Sequence, residues 1–167
     1  MALAATPCLA EPAMTAPPLT VTTSIAFPLN TVVGPVRAGL LCMPNGKLRG
    51  RDFLRSQRDF SLLIQRALSE RQADPSLARL GDLQVDLQRM RVKLCARSWG
   101  VFGTGDRKAL SGQAEFTFAW SSNRDSAATK SIARIIIERN KDDAIPTEEI
   151  MEQALNRLLD QIAQSSL

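Results

Sequence analysis

Residues 83–96 read LQVDLQRMRVKLCA, and within them the apolar positions change parity: Leu83, Val85 and Leu87 are odd, while Met90, Val92, Leu94 and Ala96 are even. Alternation with a period of two marks a strand, because successive side chains leave the backbone on opposite faces. Keeping one apolar face across the switch requires one extra residue in the ladder, so the stretch predicts a long strand with a β-bulge at Gln88 and Arg89. A strand of this length needs partners. Residues 112–120 supply one, with Ala114, Phe116, Phe118 and Trp120 inward and Gln113, Glu115 and Thr117 outward, and residues 132–138, IARIIIE, supply another. Three glycines between 100 and 105 and the polar run 121–129 join them. The expected centre of the fold is an antiparallel meander.

The flanking segments complete an architecture. Residues 19–27 alternate through Leu19, Val21, Thr23, Ile25 and Phe27 and end at Pro28; residues 36–43 read as a second strand, stopped by Pro44-Asn45-Gly46. Residues 56–72 place Phe60, Leu63, Ile64, Ala67 and Leu68 on one helical face, with Ser56 as N-cap and Asp74-Pro75 as the stop. After Pro146, Thr147 is the expected N-cap of a second helix, and Glu148 and Glu149 sit where the helix dipole favours negative charge. Its apolar stripe runs through Ile150, Met151, Ala154, Leu155, Leu158, Leu159 and Ile162. The order β-β-α-β-β-β-α predicts an α+β fold: an antiparallel meander sheet with two helices packed on one face, formed by residues 19–167 as one domain. Residues 1–18 are Ala- and Pro-rich. They are expected to be a signal-peptide remnant cut after Ala10, or a disordered arm.

The chain contains no histidine. That removes the usual general base at neutral pH, the commonest metal ligand, and every Ser-His or Cys-His nucleophile system. No catalytic residue, metal site or cofactor is expected. The glycines of 100–105 lie between two strands, where a phosphate cradle would need a helix N-terminus, so they read as a turn. The pairs Asp142-Asp143 and Glu148-Glu149 read as solvated or capping carboxylates.

Charge points instead to binding. The formal charge is +4. Lys47, Arg49, Arg51, Arg55 and Arg58 cluster in sequence, and Arg89, Arg91, Lys93 and Arg97 fall on the outward face of the long strand, flanked by Arg107 and Lys108 of the hairpin tip. The stripe Arg89, Arg91, Lys93, Arg97 with Arg107 and Lys108 is the expected partner surface, suited to an acidic protein face. Few aromatic residues interleave with these cations, which disfavours nucleic acid; a small basic nucleic-acid-binding module of the cytosol stays as the alternative function. Three cysteines occur, at 8, 42 and 95. If Cys8 leaves with an export segment, an even pair remains, and the expectation is a Cys42–Cys95 disulfide in an oxidising compartment, with two separate buried thiols as the alternative.

From Val36 onward the chain is similar to small bacterial envelope proteins: auxiliary lipoproteins of transport systems, the YajG-like lipoproteins and the periplasmic domain of curli-secretion pores. The likeness is carried by an apolar strand before the helix RDFSLLIQRALSERQ, the meander LQVDLQRMRVKLCA to GQAEFTFAWSS, the strand SIARIIIE and the closing helix TEEIMEQALNRLLDQIAQ. The Thr-Pro ahead of Cys8 departs from the lipidation motif of the lipoprotein members. The resemblance implies a non-enzymatic accessory or structural component of a cell-envelope assembly, periplasmic or outer-membrane-associated. Its partners would be protein subunits of that assembly or further copies of the chain, with the membrane met only peripherally or through an N-terminal anchor.

Overall fold

The parity switch organises the structure. In the computed structural model, which describes residues 19–38, 41–71, 74–78, 80–96, 108–123, 130–139 and 145–165, the long strand β4 (Asp82–Ala96) pairs antiparallel with β5 (Lys108–Ser122), and β5 with β6 (Ser131–Arg139). Leu87 faces Phe118 and Arg89 faces Thr117, so Gln88 is the extra residue of a bulge where the sequence placed one. Leu83, Val85 and Leu87 before it, and Met90, Val92 and Leu94 after it, are all buried on one side.

The other edge of β4 is shared end to end by two parallel strands. β1 (Thr20–Ile25) pairs with residues 82–87, and β2 (Val32–Ala38) pairs with residues 94–96. β3 (Met43–Arg49) folds back antiparallel on β2, giving the order β3-β2-β4-β5-β6, and the short β7 (Ile145–Pro146) pairs with the start of β5. The result is a mixed seven-stranded sheet with helices packed on it, an α+β fold.

Helix α1 (Gln57–Ser69) starts as its sequence predicts, the Ser56 hydroxyl accepting from the Asp59 N–H at 3.1 Å. Pro75, expected only as a stop, opens a short helical turn α2 (Pro75–Ala78), where a missing N–H costs nothing. α3 (Thr147–Ser165) buries its whole stripe from Ile150 to Ile162. α1 and α3 pack against each other and against the β1, β5 and β6 side of the sheet. Phe116 and Phe118 of β5 anchor this core: Phe116 meets Phe53 edge to face at 6.4 Å, and Phe118 lies parallel to Phe60 at 6.5 Å. On the outer edge, Arg157 of α3 donates to the Ile136 carbonyl at 2.6 Å, which occupies one acceptor of the edge strand β6.

Three local expectations change. The segment around Cys42 is a hairpin and not one strand: the chain turns at Leu41 and Cys42, and Cys42 adopts a left-handed φ of 48°. Pro44-Asn45-Gly46 does not stop a strand but lies within β3, where Val36 faces Gly46 and Arg37 faces Pro44, so Asn45 is bulged. An edge strand tolerates a proline, which has no N–H for a ladder, and Gly46 takes the φ of 145° that the bulge imposes. The apolar run "LLCM" is correspondingly not buried: Leu41 and Met43 are 83% and 62% exposed. Finally, Thr147 is not the cap of its helix. It is the first helical residue, buried, with its hydroxyl donating to the Asp52 carbonyl at 2.7 Å and so tying α3 to the turn Gly50–Asp52.

Candidate functional site

The bulge decides what the outer sheet face presents. Before it, the even residues Gln84 and Asp86 point away from the helices; after it the odd residues Arg89, Arg91 and Lys93 do, and all three are exposed. Without the extra residue these cations would be aimed into the aliphatic core. Register carries the face across the sheet: Arg89, Thr117 and Arg134 form one row, Arg91, Glu115 and Ile136 the next, and Lys93, Gln113 and Glu138 the third.

Glu115 is the acid in the middle. Arg134 grips it with two nitrogens, Nε to Oε1 at 2.9 Å and Nη2 to Oε2 at 3.0 Å. The hydrogen bond from Arg134 holds the Glu115 carboxyl below the usual carboxylate range, more than offsetting its partial desolvation, and the fields of Arg134, Arg91 and Arg89 act in the same direction. Arg89, Arg91 and Lys93 themselves make no hydrogen bond or ion pair with any described residue. They are a cationic surface with spare binding capacity.

A cleft of about 680 Å³ opens beside them. β1 ends its pairing at Leu87, followed by one last bond from the Ala26 N–H to the Leu87 carbonyl at 3.0 Å, and β2 joins β4 only at Leu94. Between these points the chain turns away through Pro28 to Thr31, fastened by the Arg51 N–H to the Leu29 carbonyl at 2.8 Å and the Gly50 N–H to the Thr31 carbonyl at 3.1 Å. The space left open is lined by Phe27 of the connection after β1, by Val32, Pro35 and Lys47 of β2 and β3, and by Arg89 and Arg91 of β4.

The expected surface is thus partly assembled. Arg89, Arg91 and Lys93 share one face, and Lys108 begins β5, paired with Pro146. Arg97 and Arg107 lie outside the described residues, as do residues 1–18 with Cys8. The sequence cluster Lys47 to Arg58 is dispersed: Lys47 reaches the cleft, Arg49 donates to the Asn30 carbonyl at 3.3 Å, and Arg55 pairs with Glu148 of α3 at 3.3 Å. The place of Lys47 in the cleft depends on the bulged β2–β3 hairpin, which no local sequence pattern encodes. A second groove, between α1 and α3, is crossed by the Arg55–Glu148 and Arg66–Glu152 ion pairs, so those four charges are already partnered. Among the described residues no three His, Cys, Asp or Glu side chains gather as a metal site.

The cysteines do meet. Cys42 of the hairpin turn and Cys95 near the end of β4 form a disulfide, with their α-carbons 5.4 Å apart. It pins the β2–β3 hairpin to the strand that carries the cations.

At the other end of β4, Asp86 is a buried carboxylate, 4% exposed, on the same face. Ser24 of β1 donates to it at 2.6 Å and Lys130 at 2.9 Å, with Gln84 at 3.3 Å. Burial pushes its pKa up, but the hydrogen bonds from Ser24, Lys130 and Gln84 outweigh burial and hold it below the usual value. A carboxylate depressed in the folded state adds stability above its unfolded pKa, and that stability is lost as pH falls through the folded value. Asp86→Asn therefore costs about 1–3 kcal/mol at pH 7, and the gap from the parent protein narrows below about pH 4. Urea unfolding at pH 7 and pH 3 checks this; an equal gap at both values would refute it.

No protein-family model matches this chain. No curated protein is significantly similar to it. Among solved structures it is similar to one described as "Crystal structure of uncharacterized protein", with a TM-score of 0.41 at 12% identity over 88% of this chain and 90% of that one. At that level of likeness the site rests on the residues of this chain alone.

Proposed function

We propose that the protein is a non-enzymatic binding component of a cell-envelope assembly, working in an oxidising compartment such as the periplasm, and that the outer sheet face docks a protein subunit of that assembly. The observation that carries this reading is the set of exposed cations Arg89, Arg91 and Lys93, aimed outward by the Gln88 bulge and held in no hydrogen bond or ion pair by a described residue. Such a face steers and orients an acidic partner. The Cys42–Cys95 disulfide supports the compartment, since bridges persist where thiols are not kept reduced. The element order of meander and closing helix, similar to that of envelope auxiliary proteins, supports the class of assembly.

The test is capture of partners from native membranes, identified by mass spectrometry. Arg91→Glu with Lys93→Glu is expected to reduce capture of the main partner at least tenfold while the melting temperature stays within about 2 °C, because surface substitutions away from packed features cost little. Unchanged capture counts against this face. A gel shift with salt-sensitive nucleic-acid binding, lost in the same variant, would favour the nucleic-acid alternative.

A further inference from the structure

We infer that the cleft beside the Gln88 bulge is a dock for a short extended segment of a protein partner in which acidic and apolar residues alternate. The inference rests on the proposal that this face binds protein, and it names the chemistry of what is bound.

Three features of the cleft converge on such a ligand. The first is charge. Lys47 approaches from β3 and Arg89 and Arg91 from β4, and among the described residues no carboxylate lines the space between them. The two guanidinium groups are planar forks suited to carboxylates, and neither is spent on a described neighbour. The second is the apolar share of the lining. Phe27, Val32 and Pro35 face the same space, and Val32 is 48% exposed despite being aliphatic. A site for a bare inorganic anion would present donors only; this one also offers surface for apolar side chains.

The third is the interruption of the sheet. β4 has a parallel neighbour up to Leu87 and again from Leu94, but among the described residues Gln88 to Arg91 line the cleft with no ladder partner on that side. No described residue fills the slot. The loop from Pro28 to Thr31 is fastened to Gly50 and Arg51, and Pro35 has no N–H to offer a ladder. An extended peptide can lie in such a slot as a strand beside a strand. Arg89 and Arg91 are two residues apart on one strand face, about 7 Å along it, and alternate residues of an extended peptide repeat at that same spacing. Nucleic acid would bring similarly spaced phosphates, but among the described residues Phe27 is the sole aromatic lining the cleft, too little for base stacking.

The experiment uses the full, oxidised chain and a fluorescein-labelled peptide of about eight residues alternating Glu and Val, read by anisotropy. Saturable binding is expected, with none for the matching Lys/Val peptide. Lys47→Glu, and Arg89→Gln with Arg91→Gln, are each expected to weaken it at least tenfold while the chain stays folded, the glutamines removing the positive charge without setting a carboxylate opposite Glu115. Lys93→Glu lies on the same face but outside the cleft, and is expected to weaken it less than threefold. Phosphatidylglycerol vesicles and inorganic phosphate at matched charge are expected not to displace the peptide. Absence of saturable binding, equal binding by the cleft variants, or displacement by vesicles or phosphate would each overturn the inference. If partner capture from membranes survives the cleft variants but is lost in Arg91→Glu with Lys93→Glu, the cleft inference fails while the proposed binding face stands.

Discussion

Replacing both bridged cysteines, Cys42→Ser with Cys95→Ala, is expected to destabilise the protein by about 4 kcal/mol and to lower its melting temperature by roughly 10 °C. The bridge closes a separation of 53 residues, and the entropy it removes from the unfolded chain grows with the logarithm of that length. The closed loop runs through β3, α1, α2 and the body of β4, so the bridge restrains elements far apart in the unfolded chain. The turn itself adds a second term. Cys42 sits at a φ of 48°, a left-handed backbone that costs an L-residue roughly 1–2 kcal/mol and that the bridge helps to hold. Cys42→Gly with Cys95→Ala is therefore expected to recover about 1 kcal/mol relative to the serine variant, since glycine adopts this backbone without penalty. Urea unfolding of the three proteins gives the free energies, and thermal unfolding the melting temperatures. A serine variant melting within about 2 °C of the parent would show that the bridge contributes little, and would weaken the case for an oxidising compartment with it.

Much of this fold is legible in the sequence where the signal is local. Parity along residues 83–96 locates the bulge to Gln88-Arg89, because burial on one face forces an extra residue where the apolar pattern slips, and the pairing of Arg89 with Thr117 makes Gln88 the extra one. The stripes of α1 and α3 are equally plain. What fails is what depends on distant partners. Pro44-Asn45-Gly46 has the composition of a turn, and only its pairing with Val36 and Arg37 makes it a bulged stretch of edge strand. The hydroxyl of Thr147 could cap its own helix, but the Asp52 carbonyl, brought near by tertiary packing, takes it instead.

The candidate site divides along the same line. Arg89, Arg91 and Lys93 follow from alternation alone. Lys47, Phe27 and Val32 do not, since they reach the cleft only because β1 and β2 share one edge of β4 and leave a gap between them. No periodicity encodes a gap. The disulfide sits between the two cases: counting cysteines suggests the pair, but the hairpin turn that presents Cys42 is a tertiary feature.

That gap has a structural condition, and Gly34 meets it. A Cβ added at Gly34 would lie 1.8 Å from the Val92 carbonyl oxygen and 2.8 Å from its carbon, backbone atoms that cannot rotate aside. β2 can approach β4 closely enough to pair at Leu94 only because position 34 carries no side chain. Gly34→Ala must push β2 off the sheet, and with it the β2–β3 hairpin that carries Lys47; the expected cost is at least about 3 kcal/mol. Gly81 supplies the control. Nothing lies within 4 Å of its added Cβ, but its φ is 69°, so Gly81→Ala meets backbone strain without a clash and is expected to cost about 1 kcal/mol. The two glycines thus separate steric from conformational necessity in one protein. Chemical denaturation of both variants decides the matter: Gly34→Ala costing no more than Gly81→Ala would mean that β2 relaxes freely, and that its close approach to Val92 is not what fixes the wall of the cleft.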